Sequence, residues 1–257
     1  MNSCLRSLFL STALLISGLC LPAAGEGSRE KSERSAMEAL TRLGVPLHRD
    51  IHGSARWIEA RSGEMSDQAL RLLPALHNLE WLEIGGGAVT ASGLESLKDC
   101  RSLKRLYLHD LDLGGRDLTW LSALTGLEAL SLQHTGIDGR ALRNIRSRDR
   151  LRVLNLAGNP ISDEDMDGIA EFRELEVLAL ADTRISGTGL AKLKNLKRLN
   201  SLNLARTLIR NEDIQSLVHL PNLRIAYVWG CGVSEAAVIQ VRSRATLLAV
   251  FRGGTGE

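Results

Sequence analysis

An acidic run at residues 163–174, DEDMDGIAEFRE, has oxygen-bearing side chains at the spacing that calcium-binding loops use. The residues that match the pattern D-x-[DN]-x-[DN]-G-x5-E are Asp163, Asp165, Asp167, Gly168 and Glu174. Such a loop lies between two helices, whereas the preceding residues, RVLNLA, alternate as a strand does. Met166, Ile169 and Phe172 recur every three residues, which predicts a helix with a buried face. We therefore interpret the run as the acidic start of a helix and expect no bound metal.

Basic residues precede this acidic run at a constant interval of 24 residues. The pairs at this interval are Arg140 with Glu164, Arg143 with Asp167, and Arg150 with Glu174. If units of this length stack side by side, each pair lies on neighbouring units and predicts an ion pair. Exposed pairs of this kind contribute about 0.2–1 kcal/mol, so they would help register more than stability.

Two histidines and an aspartate, His109, Asp110 and His134, are the other residues that could do chemistry. A metal site needs a third fixed ligand, and catalysis needs a nucleophile with a base. Ser131 and Gln133 are close in sequence but complete neither set. We therefore predict an exposed polar edge, no cofactor and no enzymatic activity.

Residues 1–25 have the composition of an export signal. Arg6 precedes the apolar stretch LFLSTALLISGLCLP, and small residues at 23–25 allow cleavage before Glu26. Two alternatives are a bacterial lipoprotein at Cys20, where the preceding Leu19 is larger than such processing prefers, and an uncleaved membrane anchor. We expect an exported protein that is periplasmic, secreted or displayed at the cell surface.

The rest of the chain repeats the pattern L-x-x-L-x-L every 24 residues. We number positions within a repeat from zero, and the opening leucines are Leu79, Leu103, Leu127, Leu151, Leu175, Leu199 and Leu223. Positions three and five are apolar and alternate as in a strand, whereas apolar positions 15, 18 and 21 share one helical face. Position eleven carries residues that cap helices: Ser66, Thr90, Asp138, Ser162, Ser186 and Ser234.

One such unit cannot bury its apolar face, but stacked units can. The pattern predicts an α/β leucine-rich-repeat solenoid with a parallel concave sheet and helices on the convex side. We divide the chain into a signal peptide (1–25), a capping helix and strand (26–54), eight repeats (55–246) and a half-repeat with tail (247–257). In this arrangement Cys100 and Cys231 lie too far apart to form a disulfide.

Position eight holds asparagine or cysteine in the general leucine-rich-repeat pattern. Here it carries Thr135, Asn159, Thr183, Thr207 and Cys231. The first three repeats instead carry Gly63, Gly87 and Leu111. We therefore expect a hydrogen-bonded ladder at position eight that is missing from the first three repeats.

The segment LALADTRISGTGLAKLKNLKRL closely resembles the 24-residue repeats of bacterial exported leucine-rich-repeat proteins. SAMEALTRLGVPLHRD, residues 35–50, resembles the helix and short strand that often precede such arrays. The resemblance implies a recognition or scaffolding role and no catalytic residues.

Positions two, four and six of each strand should face the concave side. Most aromatic residues of this aromatic-poor chain (4%) fall in these columns, near the two ends of the array. The residues that we expect to bind a partner are Trp57, Glu59, Trp81, Glu83, Arg105, Tyr107, His109, Tyr227 and Trp229. Aromatic residues and arginine anchor protein interfaces. They can equally cap the open ends of a stack, and Phe251 fits that second interpretation.

We interpret the chain as a non-catalytic protein-interaction module, monomeric, with a protein or peptide ligand. Its acidic and basic residues nearly cancel (30 against 32), which disfavours nucleic acid or an anionic membrane as partner. One alternative is a structural protein of the cell envelope without a specific soluble ligand. A second is an effector that recruits host proteins, for which residues 26–54 are too few to form the adaptor helices.

Overall fold

A single ten-stranded sheet runs through the computed structural model, which describes residues 26–61, 63–87 and 89–253. The strands are β1 Leu47–Arg49, β2 Ala55–Ala60, β3 Trp81–Gly85, β4 Arg105–His109, β5 Ala129–Gln133, β6 Val153–Asn155, β7 Val177–Ala179, β8 Ser201–Asn203, β9 Ile225–Tyr227 and β10 Ala249–Phe251. They lie in chain order, with β1 antiparallel to β2 and every later pair parallel. Residues 1–25, where the sequence predicts an export signal, and the last four residues lie outside the described ranges.

The register of the parallel strands aligns the same position of every repeat. Leu82 pairs with Leu106, Leu106 with Leu130, and Leu130 with Leu154. These leucines are fully buried, and each contributes about 1.5–3 kcal/mol by leaving water. Since a slip of one residue would turn every buried side chain outward, the leucine column fixes the register.

The described residues form six α-helices and seven 3₁₀-helices, of which the first α-helix covers the N-terminal end and the others lie on the convex side. The α-helices are α1 Glu26–Arg42, α2 Asp67–Leu70, α3 Ala91–Leu94, α4 Met166–Ile169, α5 Gly187–Lys192 and α6 Glu235–Arg244. The 3₁₀-helices are Leu73–Ala75, Glu95–Asp99, Thr119–Ala123, Gly139–Asn144, Asp163–Asp165, Leu193–Asn195 and Asp213–His219. The expected fold class is confirmed, but the helical segments are shorter and tighter than expected. The three-residue spacing of positions 15, 18 and 21 is the period of a 3₁₀-helix, which explains the difference.

Position eleven begins the convex segments as expected. Ser66 accepts from the Ala69 N–H at 3.3 Å, and Ser234 accepts from the Ala237 N–H at 3.2 Å. Ser162 forms a reciprocal capping box with Asp165. Each cap satisfies a backbone donor that the first helical turn leaves free.

The ladder at position eight is confirmed from the fourth repeat onward. Asn159 Nδ2 donates to the carbonyls of Leu132 and Leu156, at 2.6 and 2.9 Å. Its Oδ1 accepts from the N–H groups of Thr135 and Ile137, at 3.1 and 3.2 Å. In the later repeats the hydroxyls of Thr183 and Thr207 donate to the Leu180 and Leu204 carbonyls of their own repeats. The thiol of Cys231 donates to the Leu204 carbonyl of the preceding repeat. Gly63 and Gly87 have no side chain to contribute, and both have positive φ, +87° and +98°.

The prediction of ion pairs on the convex side is wrong, because the acidic residues pair with other partners. Asp167 pairs with Lys192 at 2.8 Å, and Glu174 pairs with Arg198 at 2.7 Å, so both acids face the following repeat. Arg140 pairs with Asp138, at 3.7 Å, and not with Glu164. Neither Arg143 nor Arg150 forms an ion pair with a described residue. Arg143 lies within the 3₁₀-helix Gly139–Asn144, whereas Arg150 lies beyond Ile145, whose extended backbone (ψ 114°) moves the following chain away from the position that strict repetition predicts.

The acidic run at 163–174 forms helix and core. Residues 163–169 are helical, and Met166, Ile169 and Phe172 are fully buried. The carboxylate of Asp163 accepts from the Ser186 N–H at 2.8 Å, and that of Asp165 accepts from the Ser162 N–H at 2.9 Å. The helical interpretation of this segment is therefore confirmed.

Candidate protein-binding surface

The first strands of the sheet align the expected binding residues in two columns. Trp57, Trp81 and Arg105 are neighbours in the register at position two, and Glu59, Glu83 and Tyr107 are neighbours at position four. All six side chains are half-exposed, while the residues between them point into the core. Strand alternation therefore presents these columns on the concave face.

An aromatic row crosses the first four strands. It consists of His48, Trp57, Trp81 and Tyr107. Ring centroids are 4.3 Å apart between the first two residues, 5.4 Å between the two tryptophans, and 5.5 Å between Trp81 and Tyr107. The first two contacts are stacked, with interplanar angles of 24° and 19°, and the third is tilted by 58°. Because both faces of Trp57 are covered, that residue offers a ligand its ring edge and not a stacking surface.

Two donors in this row have no acceptor among the described residues. The indole Nε1 atoms of Trp57 and Trp81 are buried and make no hydrogen bond with any residue described. A buried donor left without a partner costs about 1–3 kcal/mol. The guanidinium of Arg105 lies 5.8 Å from the Trp81 ring centroid and adds a positive charge beside the row. Burial raises the pKa of the Tyr107 hydroxyl to about 12, so this hydroxyl is protonated at neutral pH.

A polar group adjoins the row where strands β3 and β4 end. His109 Nε2 lies 3.5 Å from the Glu83 carboxylate, and its Nδ1 lies 3.1 Å from Asp110. His134 Nδ1 lies 3.3 Å from the same aspartate. The proximity of His109, Asp110 and His134 expected from the sequence is confirmed. A pocket of about 320 Å³ opens here, with Glu59, Arg61 and Gly86 on its wall.

The pKa values in this group shift in opposite directions. The pKa of His109 is raised above 6.5, chiefly by the Glu83 carboxylate and further by Asp110, against the effect of partial burial. The pKa of Asp110 is lowered below 3.8, chiefly by its hydrogen bond to His109 and further by His134. Within the described residues, no set of three or more His, Cys, Asp or Glu side chains has a geometry that could hold a metal ion.

The aromatic residues at the far end form a separate group. Tyr227 stacks on Phe251, with centroids 5.3 Å apart and an interplanar angle of 22°. Trp229 packs against a small apolar cluster of buried alanines at position six. The Arg206 guanidinium lies 4.1 Å from the centroid of the Trp229 ring. The structure thus brings together the expected residues of the first strands, whereas Tyr227 and Trp229 belong to the other end and make their own contacts there.

A line of left-handed residues borders the concave face and was not recognised in the sequence. Position seven has φ between +51° and +71° in seven consecutive repeats. We call this line the rim, and its residues are Gly86, Asp110, His134, Gly158, Asp182, Arg206 and Gly230. A larger depression, about 510 Å³, lies elsewhere, between Ser186, exposed Leu208 and Gly232.

The rim contains two triplets of acid, base and glycine. Asp110 contacts His134, and a Cβ on Gly158 would lie 1.6 Å from the His134 ring. Asp182 and Arg206 form an ion pair, and a Cβ on Gly230 would lie 2.7 Å from Cγ of Arg206. The order G-D-H-G-D-R-G at position seven could have revealed this line, since it repeats every third unit.

Non-glycine residues in the rim give the fold little net stability. A left-handed conformation costs a residue with a Cβ about 1–2 kcal/mol. An exposed ion pair stabilises the folded state by about 0.2–1 kcal/mol. The two pairs therefore do not offset the strain of the four residues that form them.

Comparison with known proteins supports the fold. No family model matches the chain, and no curated protein matches it. Among solved structures, internalin C2 from Listeria monocytogenes strain 4b F2365 is 20% identical, with 77% of this chain and 81% of that chain covered and a TM-score of 0.54. An internalin (inlF) from the same strain is 16% identical over 87% of each chain, with a TM-score of 0.44.

The sheet and the likeness to internalin C2 define the class of fold. The chain is a leucine-rich-repeat solenoid, with a mostly parallel sheet alternating with short helices. No helix in the part of the chain that the structure describes is long and apolar enough to cross a membrane.

Proposed function

We propose that this chain is an exported, non-catalytic protein-interaction module that binds a protein or peptide on its concave face. The residues of the contact are those named from the sequence, centred on Trp57, Trp81, Arg105 and Tyr107. Tyr227 and Trp229 form a second, peripheral contact.

The aromatic row is the observation that carries this proposal. Large rings with a neighbouring arginine are the residue types that dominate binding energy at protein interfaces. The half-exposed ring edges of the row suit the apolar side chains of a polypeptide, and the Arg105 guanidinium beside Trp81 can donate hydrogen bonds to its carbonyl oxygens. The covered faces of Trp57 argue against a ligand that stacks flat on this residue, such as a nucleobase or a sugar ring.

Selection from a random peptide library displayed on phage, with the purified chain immobilised, tests the proposal. We expect enriched peptides whose affinity falls at least about thirtyfold for a Trp81→Ala, Tyr107→Ala double variant, since a single anchor residue contributes about 2 kcal/mol or more. A Tyr227→Ala, Phe251→Ala double variant at the opposite end is the matched control and should lose less.

Two results would contradict the proposal. If no peptide is enriched above the level of an unrelated solenoid, the envelope role without a soluble ligand is favoured. If the control variant loses more affinity than the Trp81, Tyr107 variant, the wrong end has been assigned. Thermal melts of both variants identify any loss that comes from unfolding.

A further inference from the structure

Four of the seven rim positions carry a residue other than glycine, although a left-handed backbone favours glycine. Glycine adopts the left-handed conformation freely at three of the rim's seven positions. The other four are Asp110, His134, Asp182 and Arg206. Aspartate and histidine tolerate this conformation better than most residues, which makes Arg206 the least expected.

The ion pairs alone do not explain the presence of these residues, although Arg206 also lies 4.1 Å from the centroid of the Trp229 ring. Asp110 is 63% exposed and His134 is 47% exposed in their side chains, so their contact is screened by water. The Asp182–Arg206 pair is also partly exposed, at 29% and 45%. The contacts do fix the bases in place, because the glycine of each triplet makes room for the base beside it.

The two pairs share one recognition chemistry. Each places a carboxylate, which accepts hydrogen bonds, beside a histidine or arginine side chain, which can donate them. A pair of opposite charges selects neither cations nor anions. It matches the N–H and C=O groups that every peptide unit carries.

The spacing of the pairs also matches a polypeptide. The triplets repeat after three strands, which is about 14 Å at the usual distance between strands. Four residues of extended chain span about 13 Å. A segment that crosses the strands along the rim can therefore meet one pair and, four residues later, the next.

We propose that the rim is a second contact strip for the partner, in which Asp110–His134 and Asp182–Arg206 hydrogen-bond to the main chain of an extended segment. This inference rests on the concave-face function proposed above. It extends the contact from the aromatic row along the whole edge of the sheet, as far as Trp229.

The test compares stability with affinity in a double variant, Asp182→Gly with Arg206→Gly, that keeps the left-handed backbone. The probe is the peptide enriched on the native chain. We expect the thermal midpoint to stay within about 2 °C or to rise, while affinity falls roughly tenfold. The matched control removes an ion pair on the convex side, Glu174→Ala with Arg198→Ala (2.7 Å), and should keep the affinity.

Each other outcome has a defined meaning. A midpoint lower by more than about 2 °C would make the pair structural and overturn the inference. If the rim variant keeps its affinity while the Trp81→Ala, Tyr107→Ala variant loses affinity, the inference that the rim contacts the partner is overturned and the proposed function stands. Unchanged affinity of both variants, or no enriched peptide at all, would overturn the proposed function and the rim with it.

Discussion

The side chain of Asn159 connects two consecutive repeats by hydrogen bonds to buried backbone groups. It is 3% exposed and serves both N–H donors and carbonyl acceptors of the preceding repeat. Removing it leaves several buried groups without partners, and each such group costs about 1–3 kcal/mol.

We therefore expect Asn159→Ala to lower the free energy of unfolding by roughly 2–4 kcal/mol. The measurement is denaturant unfolding followed by circular dichroism. Asn203→Ala is the control, because Asn203 is half-exposed and accepts a bond from the Ala205 N–H at 3.0 Å. Equal losses for the two variants would show that the ladder does not stabilise the loops.

His109 makes the stability of the chain depend on pH. The pKa of His109 is raised in the folded state. Its contribution to the free energy of unfolding is therefore fully present below pH 6.5 and is lost as pH rises through the raised pKa. The pKa of Asp110 is lowered, so its contribution is present above pH 3.8 and is lost as pH falls through the lowered pKa. The two groups together stabilise the fold between these limits.

A His109→Gln variant should therefore lose less stability than the native chain when pH rises from 6 to 8. Thermal melts across this range measure the difference, and NMR titration of the native His109 ring measures its pKa. A ring pKa at or below 6.5 would contradict the arrangement with Glu83 and Asp110.

At the scale of elements, the strands and the position-eleven caps could be predicted because both depend on residue type at a fixed spacing. Ser66 and Leu82 illustrate the two cases. The type of helix was missed because a period of three fits a 3₁₀-helix as well as a short α-helix. The ion pairs of Asp167 and Glu174 were misassigned because the repeats before and after them both carry basic residues. An acidic side chain between two such repeats can pair with either one. The rim was missed because left-handed backbone at Asp182 or Arg206 is not required by residue type.

The segment at 163–174 makes a prediction at the same scale. Its carboxylates accept hydrogen bonds from Ser162 and Ser186 or pair with Lys192, and its apolar residues are fixed in the core. Closing a loop around calcium would break these contacts. We expect calorimetric titration with calcium to show no saturable binding at micromolar concentrations. Micromolar binding that raises the thermal midpoint would contradict the helical assignment.

At the scale of the molecule, the stacked repeats place two aromatic groups at opposite ends of one concave face. The alanines at position six, Ala157, Ala181 and Ala205, keep the part next to Trp229 shallow. The N-terminal end is covered by α1, whose Ala36, Met37 and Leu40 are buried. At the other end Arg242 donates to the Val250 carbonyl at 2.6 Å and occupies an acceptor of the edge strand. These contacts cover both ends of the stack, so the proposed partner would bind the concave face and not the ends.

The indole N–H signals of the four tryptophans report directly on whether this face binds a polypeptide. Proton–nitrogen correlation spectra would be recorded while an enriched peptide is added. We predict that the signals of Trp57 and Trp81 shift because a bound peptide changes the surroundings of their rings, while that of Trp120, buried in the core, stays in place. Saturating peptide that leaves both the Trp57 and the Trp81 signals unmoved would contradict recognition by the aromatic row.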